Sequence, residues 1–498
     1  MTTEFPTLIP AFFHAWQDKA RREATALVSD NAHLTYPELF TRVGTLAGQL
    51  SAAGIAWGDK VAIAMERSVE LVVTLLGVMA AGACPCVLEP RLGPEETARR
   101  FAMTGMRWLV LDAANAADPS LDELPGVTRL DVGALPAAEP YWAQSSPPSA
   151  PAFLLFTSGS SGKPKGVLQS HQGLLLNTLG VIEHTGLNSQ DRLLHVMPLY
   201  HTNGVNNQVL APLLAGATVI LADRFKADLM PGLFERYRPS FTTGVPTMYS
   251  RMLAVDFPPQ ALSSLRMLRC GSAPITEELF RRIEAKFGIP LVLSYGLSEA
   301  TCTSTMNPPA RRKVGSVGTV LAGQDVFLAD SQGRRITEPH RDGEICIAGP
   351  ILMLGYLDEQ SGGEPRAPGE VLRSGDLGRF DEEGYLHITG RLKEVIIRGG
   401  ENLSPNLIEG VLCKVPGVFA CSVVGKADAD LGEVPYAFIV RTTDTDGRGL
   451  DTTHLDAAVE NELSRIHKPV GYAFIDRLPE NSVGKVDRKT LSARLAQV

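Results

Sequence analysis

The sequence has few cysteines and no pattern in their spacing. Seven thiols, Cys84, Cys86, Cys270, Cys302, Cys346, Cys413 and Cys421, are scattered over 498 residues. They form no C-x-x-C motif, and Cys84-Pro85-Cys86 has no nearby histidine. An odd, dispersed set excludes a disulfide scaffold, argues against a metal site and suits a reducing, cytoplasmic compartment. Blocks of like charge are also missing. The 47 basic and 55 acidic residues leave a net charge of −8, which gives no footprint for nucleic acid. No apolar run is long and unbroken. The longest, Leu71 to Leu88, is interrupted by Gly77, Gly82 and Pro85 and reads as a buried helix followed by a buried strand, not a membrane span. Met1 to Ala20 contains Glu4 and Asp18 and no basic segment followed by an apolar core, so no secretory signal is expected. Internal repeats and a G-x-S-x-G nucleophile elbow are absent too, the latter removing one route to covalent catalysis.

What is present is ordinary globular composition, 44% apolar and 20% charged, at a length that suggests two to four folding units. Strand-length apolar clusters (Lys60 to Met65, Trp108 to Asp112, Leu193 to Met197, Ala217 to Ala222, Leu291 to Ser294) alternate with helix-length amphipathic stretches (Tyr36 to Ala53, Ser68 to Ala81, Thr276 to Lys286). This alternation predicts an α/β architecture of mostly parallel sheets. From Gly315 to Ile397 Gly and Asp turns separate short strands, which predicts a small antiparallel β unit. Beyond Gly410 a compact α+β pattern follows: helix Leu407 to Lys414, strands Ala420 to Val424 and Tyr436 to Val440, helix Thr453 to Ile466. The polar stretch Thr442 to Gly449 reads as an exposed turn.

The most informative segment is Thr157-Ser158-Gly159-Ser160-Ser161-Gly162-Lys163-Pro164-Lys165-Gly166. It follows the apolar strand Phe153 to Phe156 and leads toward a helix from His171. Glycines let backbone N–H groups approach an anion, hydroxyls donate hydrogen bonds and lysines supply charge, so the segment is a phosphate cradle. It is not a Walker loop, because the glycine spacing is shorter and Lys163 is followed by proline instead of a magnesium-binding hydroxyl. Ser/Gly-rich stretches are often linkers, but a linker seldom carries Lys-Pro-Lys directly after an apolar strand.

Five further clusters carry potential chemistry, and each has a bland alternative. Tyr295-Gly296-Leu297-Ser298-Glu299 ends an apolar strand with a carboxylate suited to magnesium on a nucleotide, or simply with a solvated glutamate. Ser374-Gly375-Asp376-Leu377-Gly378 presents an aspartate that can accept both hydroxyls of a ribose, or is a turn. Gly390-Arg391-Leu392-Lys393 offers the donor fork of Arg391 for ribose or phosphate or a surface charge. Lys485, after Gly484, is presented by a loop or is a solvated terminal lysine. His201, in Met197-Pro198-Leu199-Tyr200-His201-Thr202-Asn203-Gly204, lines a ligand crevice at a strand's carboxyl end or is a structural histidine.

Together and in this order, the clusters resemble the AMP-forming adenylating superfamily of acyl- and aryl-CoA synthetases, peptide-synthetase adenylation domains and luciferases. The resemblance runs from Leu34-Thr35-Tyr36-Pro37-Glu38-Leu39 to Gly484-Lys485-Val486-Asp487-Arg488. It implies a large domain at about residues 1–391 for ATP and the acid. It also implies a small mobile lid at 392–498, hinged at Lys393. Thr157, Ser158, Gly159, Ser160, Ser161, Gly162 and Lys165 would hold the ATP phosphates. Gly271, Ser272 and Ala273, with Tyr295 and Gly296, would flank adenine. Ser298 would contact the α-phosphate and Glu299 magnesium, and Asp376 and Arg391 would bind ribose. Lys485 would bridge the acid carboxylate and the α-phosphate. Gly399 and Gly400 would border the pantetheine tunnel. His201, Ser298, Glu299 and Lys485 form the expected catalytic set.

The acid pocket is expected at His201, Asn203, Asn206 and Asn207, Gly244 and Met248, Cys270 and Gly271, Leu297 and Cys302. The segment Tyr200 to Asn203 lacks the aspartate with which amino-acid-activating relatives hold an α-amino group, so an α-amino acid is disfavoured. Arg311 and Arg312 invite a dicarboxylate reading, although surface charge explains them better. The resemblance implies ATP, Mg2+ and CoA as reactant and cofactors, with a carrier-protein phosphopantetheine thiol as the alternative acceptor for an unusual or β-amino acid. A homodimer is possible. A third reading, a phosphotransferase or a nucleotide-binding module without catalysis, is opposed by Glu299, Asp376 and Lys485 occurring together.

Overall fold

A computed structural model describes residues 5–90, 92–118, 121, 124–158, 164–480 and 486–495. Its main layer is a nine-stranded sheet. The parallel run within it passes from Leu291–Tyr295 through Met267–Cys270, Phe241–Gly244, Arg192–His195 and Thr218–Leu221 to Thr25–Val28. Short antiparallel strands close both edges. A second, four-stranded parallel sheet is built on Lys60–Ala64 and Trp108–Leu111. Residues 325–391 form the expected antiparallel unit, a five-stranded sheet ending in Val371–Phe380 and Leu386–Arg391.

Local chemistry accounts for the elements. The helix Tyr36–Ala52 begins with a reciprocal capping box between Thr35 and Glu38 and has Pro37 in its first turn. The Leu71–Leu88 region resolves into helix Val69–Ala80, buried on every side, and strand Cys84–Val87. Pro85 is tolerated because that strand is an edge. Among the described residues no helix is long and apolar enough to cross a membrane. All seven cysteines are free thiols.

Two segments depart from expectation. Pro164–Ser170 is a strand, not a lead-in to the helix, and pairs antiparallel with Pro151–Ser158. Gly166 allows this, since a Cβ there would lie 3.2 Å from both Leu154 and Leu357 on the flanking strands. The two described ends of the phosphate-type segment, Thr157 and Lys165, are thus register partners on paired strands, and the helix His171–Thr185 follows directly. Thr442 to Gly449 is not a simple exposed turn. Asp444 caps a single helical turn, Thr445–Gly449, and Gly447 is buried against the Thr442 carbonyl.

Residues 396–474 carry a further five-stranded sheet of their own. Its long hairpin, Val418–Asp428 with Gly432–Arg441, packs on the helices Pro405–Leu412 and Thr452–Glu462. Arg488 locks this unit from inside through Glu409, with Nη1 at 2.7 Å and Nη2 at 2.9 Å from the carboxylate oxygens.

Buried histidines tie the fold to pH. Burial, with the nearby charge of Arg67 adding to it, pushes His195 down to about 3, and burial alone pushes His171 down to about 4. Both rings are thus neutral in the folded protein and titrate near 6.5 when unfolded. Their contribution to stability is complete above pH 6.5 and is lost as pH falls toward the folded values. Each should cost roughly 1.4 kcal/mol per pH unit over that range. Urea unfolding between pH 7 and pH 5 should show a falling midpoint, and a flat profile would contradict burial of the neutral rings.

Candidate active site

The hairpin at 151–170 positions the phosphate-type segment. Thr157 pairs with Lys165 across its open end, and residues 159–163, including the expected Gly159, Ser160, Ser161 and Gly162, lie outside the described residues. The Lys165 ammonium sits 5.0 Å above the Tyr356 ring. The Tyr356 hydroxyl donates to Glu299 Oε1 at 2.8 Å. Burial, then the Glu299 charge, raises the Tyr356 pKa, so the phenol stays a donor. Three residues far apart in sequence thus bring the strand after the phosphate segment to the glutamate expected at magnesium.

The turn carrying Ser298 and Glu299 is fixed from below. Gln169, fully buried, donates from Nε2 to the carbonyls of Ser298 at 2.9 Å and Thr301 at 2.6 Å. Thr202 Oγ1 and Asn206 Nδ2 reach the same Thr301 carbonyl at 2.5 and 3.1 Å. Thr301 has φ 65° and ψ −56°, and the Cys302 N–H bonds the Ala300 carbonyl at 2.8 Å. This is a γ-turn of the φ-positive kind, a costly backbone state for a β-branched residue. Strain of this sort persists only where neighbours over-determine it, and it concentrates at working sites. Asn203–Leu210 forms a stretch of π-helix directly after His201, another feature enriched at functional sites.

A second cluster joins the antiparallel unit to the main sheet. Tyr295 donates to Asp376 Oδ2 at 2.8 Å, and Arg391 Nε donates to Oδ1 at 2.6 Å. Asp376 and Arg391 are register partners on adjacent strands. Burial opposes the Arg391 charge, but Asp376 outweighs it and raises the guanidinium's pKa. Each carboxylate oxygen keeps a lone pair free, and the side chain is 13% exposed. Ser272 takes the left-handed conformation, φ 66°, between Gly271 and Ala273. Gly271 lies against Ser294, where a Cβ would come within 2.7 Å of the hydroxyl.

The residues expected around the acid divide between two faces of the sheet. Cys270 and Met248 pack in the apolar layer that also contains Tyr249, Phe234 and Phe280, and Gly244 ends the neighbouring strand. Asn206, Asn207 and Cys302 are buried on the opposite side, where Asn207 Nδ2 bonds Asn203 Oδ1 and Thr303 Oγ1 at 3.0 and 2.8 Å. Asn203 also approaches Ser272 Oγ at 3.4 Å. His201 is partly buried, its ring centroid 4.6 Å from that of Tyr200 with the planes tilted by 54°. Leu297 joins the apolar cluster under the antiparallel unit.

Lys485 lies outside the described residues, but both flanks are placed. Glu480 and Val486 form a β-bridge, and Arg251 Nη2 reaches Glu480 Oε2 at 3.0 Å. Glu480 therefore meets the helix Pro246–Met252 of the large unit. Lys393 lies in a short helical turn, 392–394, that follows Arg391. Gly399 and Gly400 have φ 58° and 90° and turn a two-residue hairpin, the conformation that requires glycine. Among the described residues no group of three or more His, Cys, Asp or Glu could hold a metal ion by itself. Arg311 and Arg312 lie away from these clusters in a surface turn, Arg312 pairing with Glu284 at 2.5 Å. Gln169, Tyr356 and Thr301 escaped sequence reading, since nothing in their local pattern distinguishes them from structural residues.

The family model described as AMP-binding enzyme matches residues 13–357, and that of the AMP-binding enzyme C-terminal domain matches 407–485. A feruloyl-CoA synthase from an Amycolatopsis species is 36% identical over 93% of this chain and 94% of its own. An indoleacetate–CoA ligase from Aromatoleum aromaticum is 33% identical over 95% of each chain. The crystal structure of ATP-bound MatB from Rhodopseudomonas palustris superposes with a TM-score of 0.88 at 28% identity, covering 97% of this chain and 98% of that one.

The Tyr295–Glu299 turn has one position that tolerates no side chain. A Cβ on Gly296 would lie 1.9 Å from the Cys302 carbonyl oxygen. Gly296→Ala should displace the strained turn and lower turnover at least tenfold, although it removes no functional group. Near-normal steady-state kinetics in a folded Gly296→Ala protein would contradict this geometry.

Proposed function

This chain belongs to the AMP-binding enzyme family, and we propose that the clusters at Lys165, Glu299 and Asp376 form the active site of its acid–CoA ligase chemistry. The enzyme activates a carboxylic acid with ATP, releases pyrophosphate and transfers the acyl group to CoA. The observation that carries the site reading is the Lys165–Tyr356–Glu299 contact series, which joins the phosphate-type hairpin to the carboxylate turn.

A carboxylate is a poor acyl donor because its oxygen cannot leave. Attack of that oxygen on the α-phosphorus of ATP breaks the bond to pyrophosphate and leaves an acyl-adenylate. The CoA thiol then attacks the acyl carbon, and AMP departs with the bonding electron pair. The first step brings two anions together, so its demand is electrostatic positioning and not a nucleophilic side chain. Thr157, Lys165 and the intervening segment grip the β- and γ-phosphates. Asp376 accepts the ribose hydroxyls while Arg391 and Tyr295 hold its carboxylate in place. Gly271 to Ala273 and Gly296 leave room for a flat base.

Glu299 fits magnesium, since Tyr356 occupies Oε1 only and the ion takes one or two carboxylates plus phosphate oxygens. Such an ion would neutralise phosphate charge. Lys485, carried by the segment between Glu480 and Val486, bridges the acid carboxylate and the α-phosphate. Residues 1–391 then act as the nucleotide and acid domain and 392–498 as a lid turning at Lys393, whose Gly399-Gly400 hairpin borders the pantetheine path. The names of the two CoA-forming relatives support CoA over a carrier-protein thiol.

Two measurements test this reading. Pyrophosphate exchange over a panel of acids should require ATP and Mg2+, and Asp376→Ala should raise the KM for ATP by roughly tenfold or more. Lys485→Ala should depress exchange about 100-fold or more while leaving thioester formation from a supplied acyl-adenylate within several-fold of wild type. Equal loss in both half-reactions would sink the Lys485 assignment.

A further inference from the structure

Arg269 lies in the middle of the central strand Met267–Cys270 and is 2% exposed. Its Nε has no hydrogen-bond partner, and among the described residues no carboxylate comes within ion-pair distance. Its charged and titratable neighbours are the Cys302 thiol, the Tyr249 phenol, the His184 ring and a second cation, Arg266. None offers a negative charge at neutral pH, since burial, as the main cause, raises both Cys302 and Tyr249. Burial pushes Arg269 itself down to about 10, so it remains a cation at pH 7.

An unpaired buried charge is costly, and natural interiors satisfy nearly all such groups. Arg266, three residues earlier, shows how this fold handles a structural arginine. It is bidentate to the buried Asp191, with Nε–Oδ1 at 2.7 Å and Nη2–Oδ2 at 2.8 Å. Arg269 has no such partner, and the polar groups around it share its lack of satisfaction.

Side chains alternate along a strand. Leu268 and Cys270 enter the apolar layer with Tyr249, whereas Met267 faces the layer with Val181 and Leu321. Arg269 therefore faces the second side, toward the helix His171–Thr185 and the π-helical stretch. Its register partner Thr243, on the adjacent strand, leaves Oγ1 unpaired. From that side Asn207 Nδ2 and Asn177 Nδ2 bond Thr303, next to Cys302, while both amide oxygens remain unpaired. Arg269 also lies two residues before Gly271, about 7 Å deeper along the strand. That places it beyond the nucleotide end of the expected acid pocket.

We propose that Arg269 recognises the remote end of the acid and that the substrate is a dicarboxylic acid. One carboxylate is adenylated at the mouth of the pocket, and the second is held by the Arg269 fork, with the Thr243 hydroxyl as an additional donor. The guanidinium's planar donor pair matches a carboxylate bidentately. This inference rests on the ligase reading above, and it assigns the dicarboxylate to an interior arginine instead of the surface pair Arg311 and Arg312.

The test compares aliphatic and aryl dicarboxylic acids with their monomethyl esters in pyrophosphate exchange, using the full-length enzyme. Wild type should favour the diacid of the right length over its monoester by about 100-fold in kcat/KM. Arg269→Met should collapse that ratio toward one, and Arg269→Lys should retain part of it. Arg269→Met should also melt no lower than wild type, because a solely structural arginine would be missed and an unpaired one would not. A wild-type ratio near one for every pair, or an unchanged ratio in Arg269→Met, overturns the proposal. If Arg269→Met does not fold, the wild-type ratio and Arg269→Lys decide. Robust exchange with monoacids alone refutes the dicarboxylate and leaves the ligase reading intact. Absence of AMP and pyrophosphate with every acid refutes the ligase reading, and this inference with it.

Discussion

The Thr301 carbonyl is the point on which the site depends. It collects donors from Gln169 on the strand after the phosphate-type hairpin, from Thr202 beside His201 and from Asn206 in the π-helical stretch. Two segments distant in sequence, the strand Pro164–Ser170 and the stretch Thr202 to Asn206, are registered against one oxygen. The bonds from Gln169 and Asn206 are fully buried and that from Thr202 partly so, and a buried polar group left without its partner costs about 1–3 kcal/mol. Thr301 adds a fourth tether, donating from Oγ1 to the Ile351 carbonyl at 2.6 Å. These bonds hold a backbone state that is unfavourable alone. The strain has a structural result: the chain reverses immediately after Glu299, presenting that carboxylate to Tyr356 while Cys302 turns inward toward Arg269.

Much of the candidate site was legible in the sequence, because it is written in residue types that have few other uses. Asp376 between glycines and Arg391 after Gly390 stand out as motifs, and they meet as register partners. The supporting residues were not legible. Gln169 lies in a stretch that reads as loop, since Lys-Pro-Lys-Gly has no strand propensity. It becomes a strand because hairpin pairing with Pro151–Ser158 and edge pairing with Gly355–Leu357 supply its hydrogen bonds. Tyr356 looks like any half-buried aromatic until Glu299 is placed beside it. Tertiary context decides these cases, and local pattern carries none of it.

The two units are held together by unequal forces. Within the C-terminal unit Arg488 is largely buried and bonds Glu409, Asn406 and the Val423 carbonyl. Breaking such a network costs several kcal/mol. Between the units, Arg251 and Glu480 form a pair whose arginine is 58% exposed, and an exposed pair is worth about 0–1 kcal/mol. The bridge from Ser404 Oγ to the Thr389 carbonyl, 2.5 Å, spans residues close to the joint itself. The C-terminal unit is thus tightly bonded within itself, while this pair holds it only weakly to the large unit. Beside Lys393 the apolar side chains Leu392 and Ile397 are exposed.

The contrast between Arg266 and Arg269 bears on what the interior was built to hold. Both belong to one short segment and share one sheet, so chain topology alone does not explain why only one is neutralised. Asp191 reaches Arg266 because Ser240 Oγ and the Asn188 N–H, at 2.7 and 3.0 Å, orient its carboxylate. Burial alone would raise the Asp191 pKa, but Arg266 and these donors together hold it below the usual range. Three residues further along, the same kind of side chain has a thiol, a phenol, His184 and Arg266 as neighbours, and among the described residues no carboxylate within ion-pair distance. A protein that neutralises one half-buried arginine with a fully bonded aspartate has the means to do so for the next. Leaving Arg269 without a carboxylate is consistent with a partner that arrives with each turnover, and it places the cost of that desolvated charge on the free enzyme, where binding of an anionic substrate removes it.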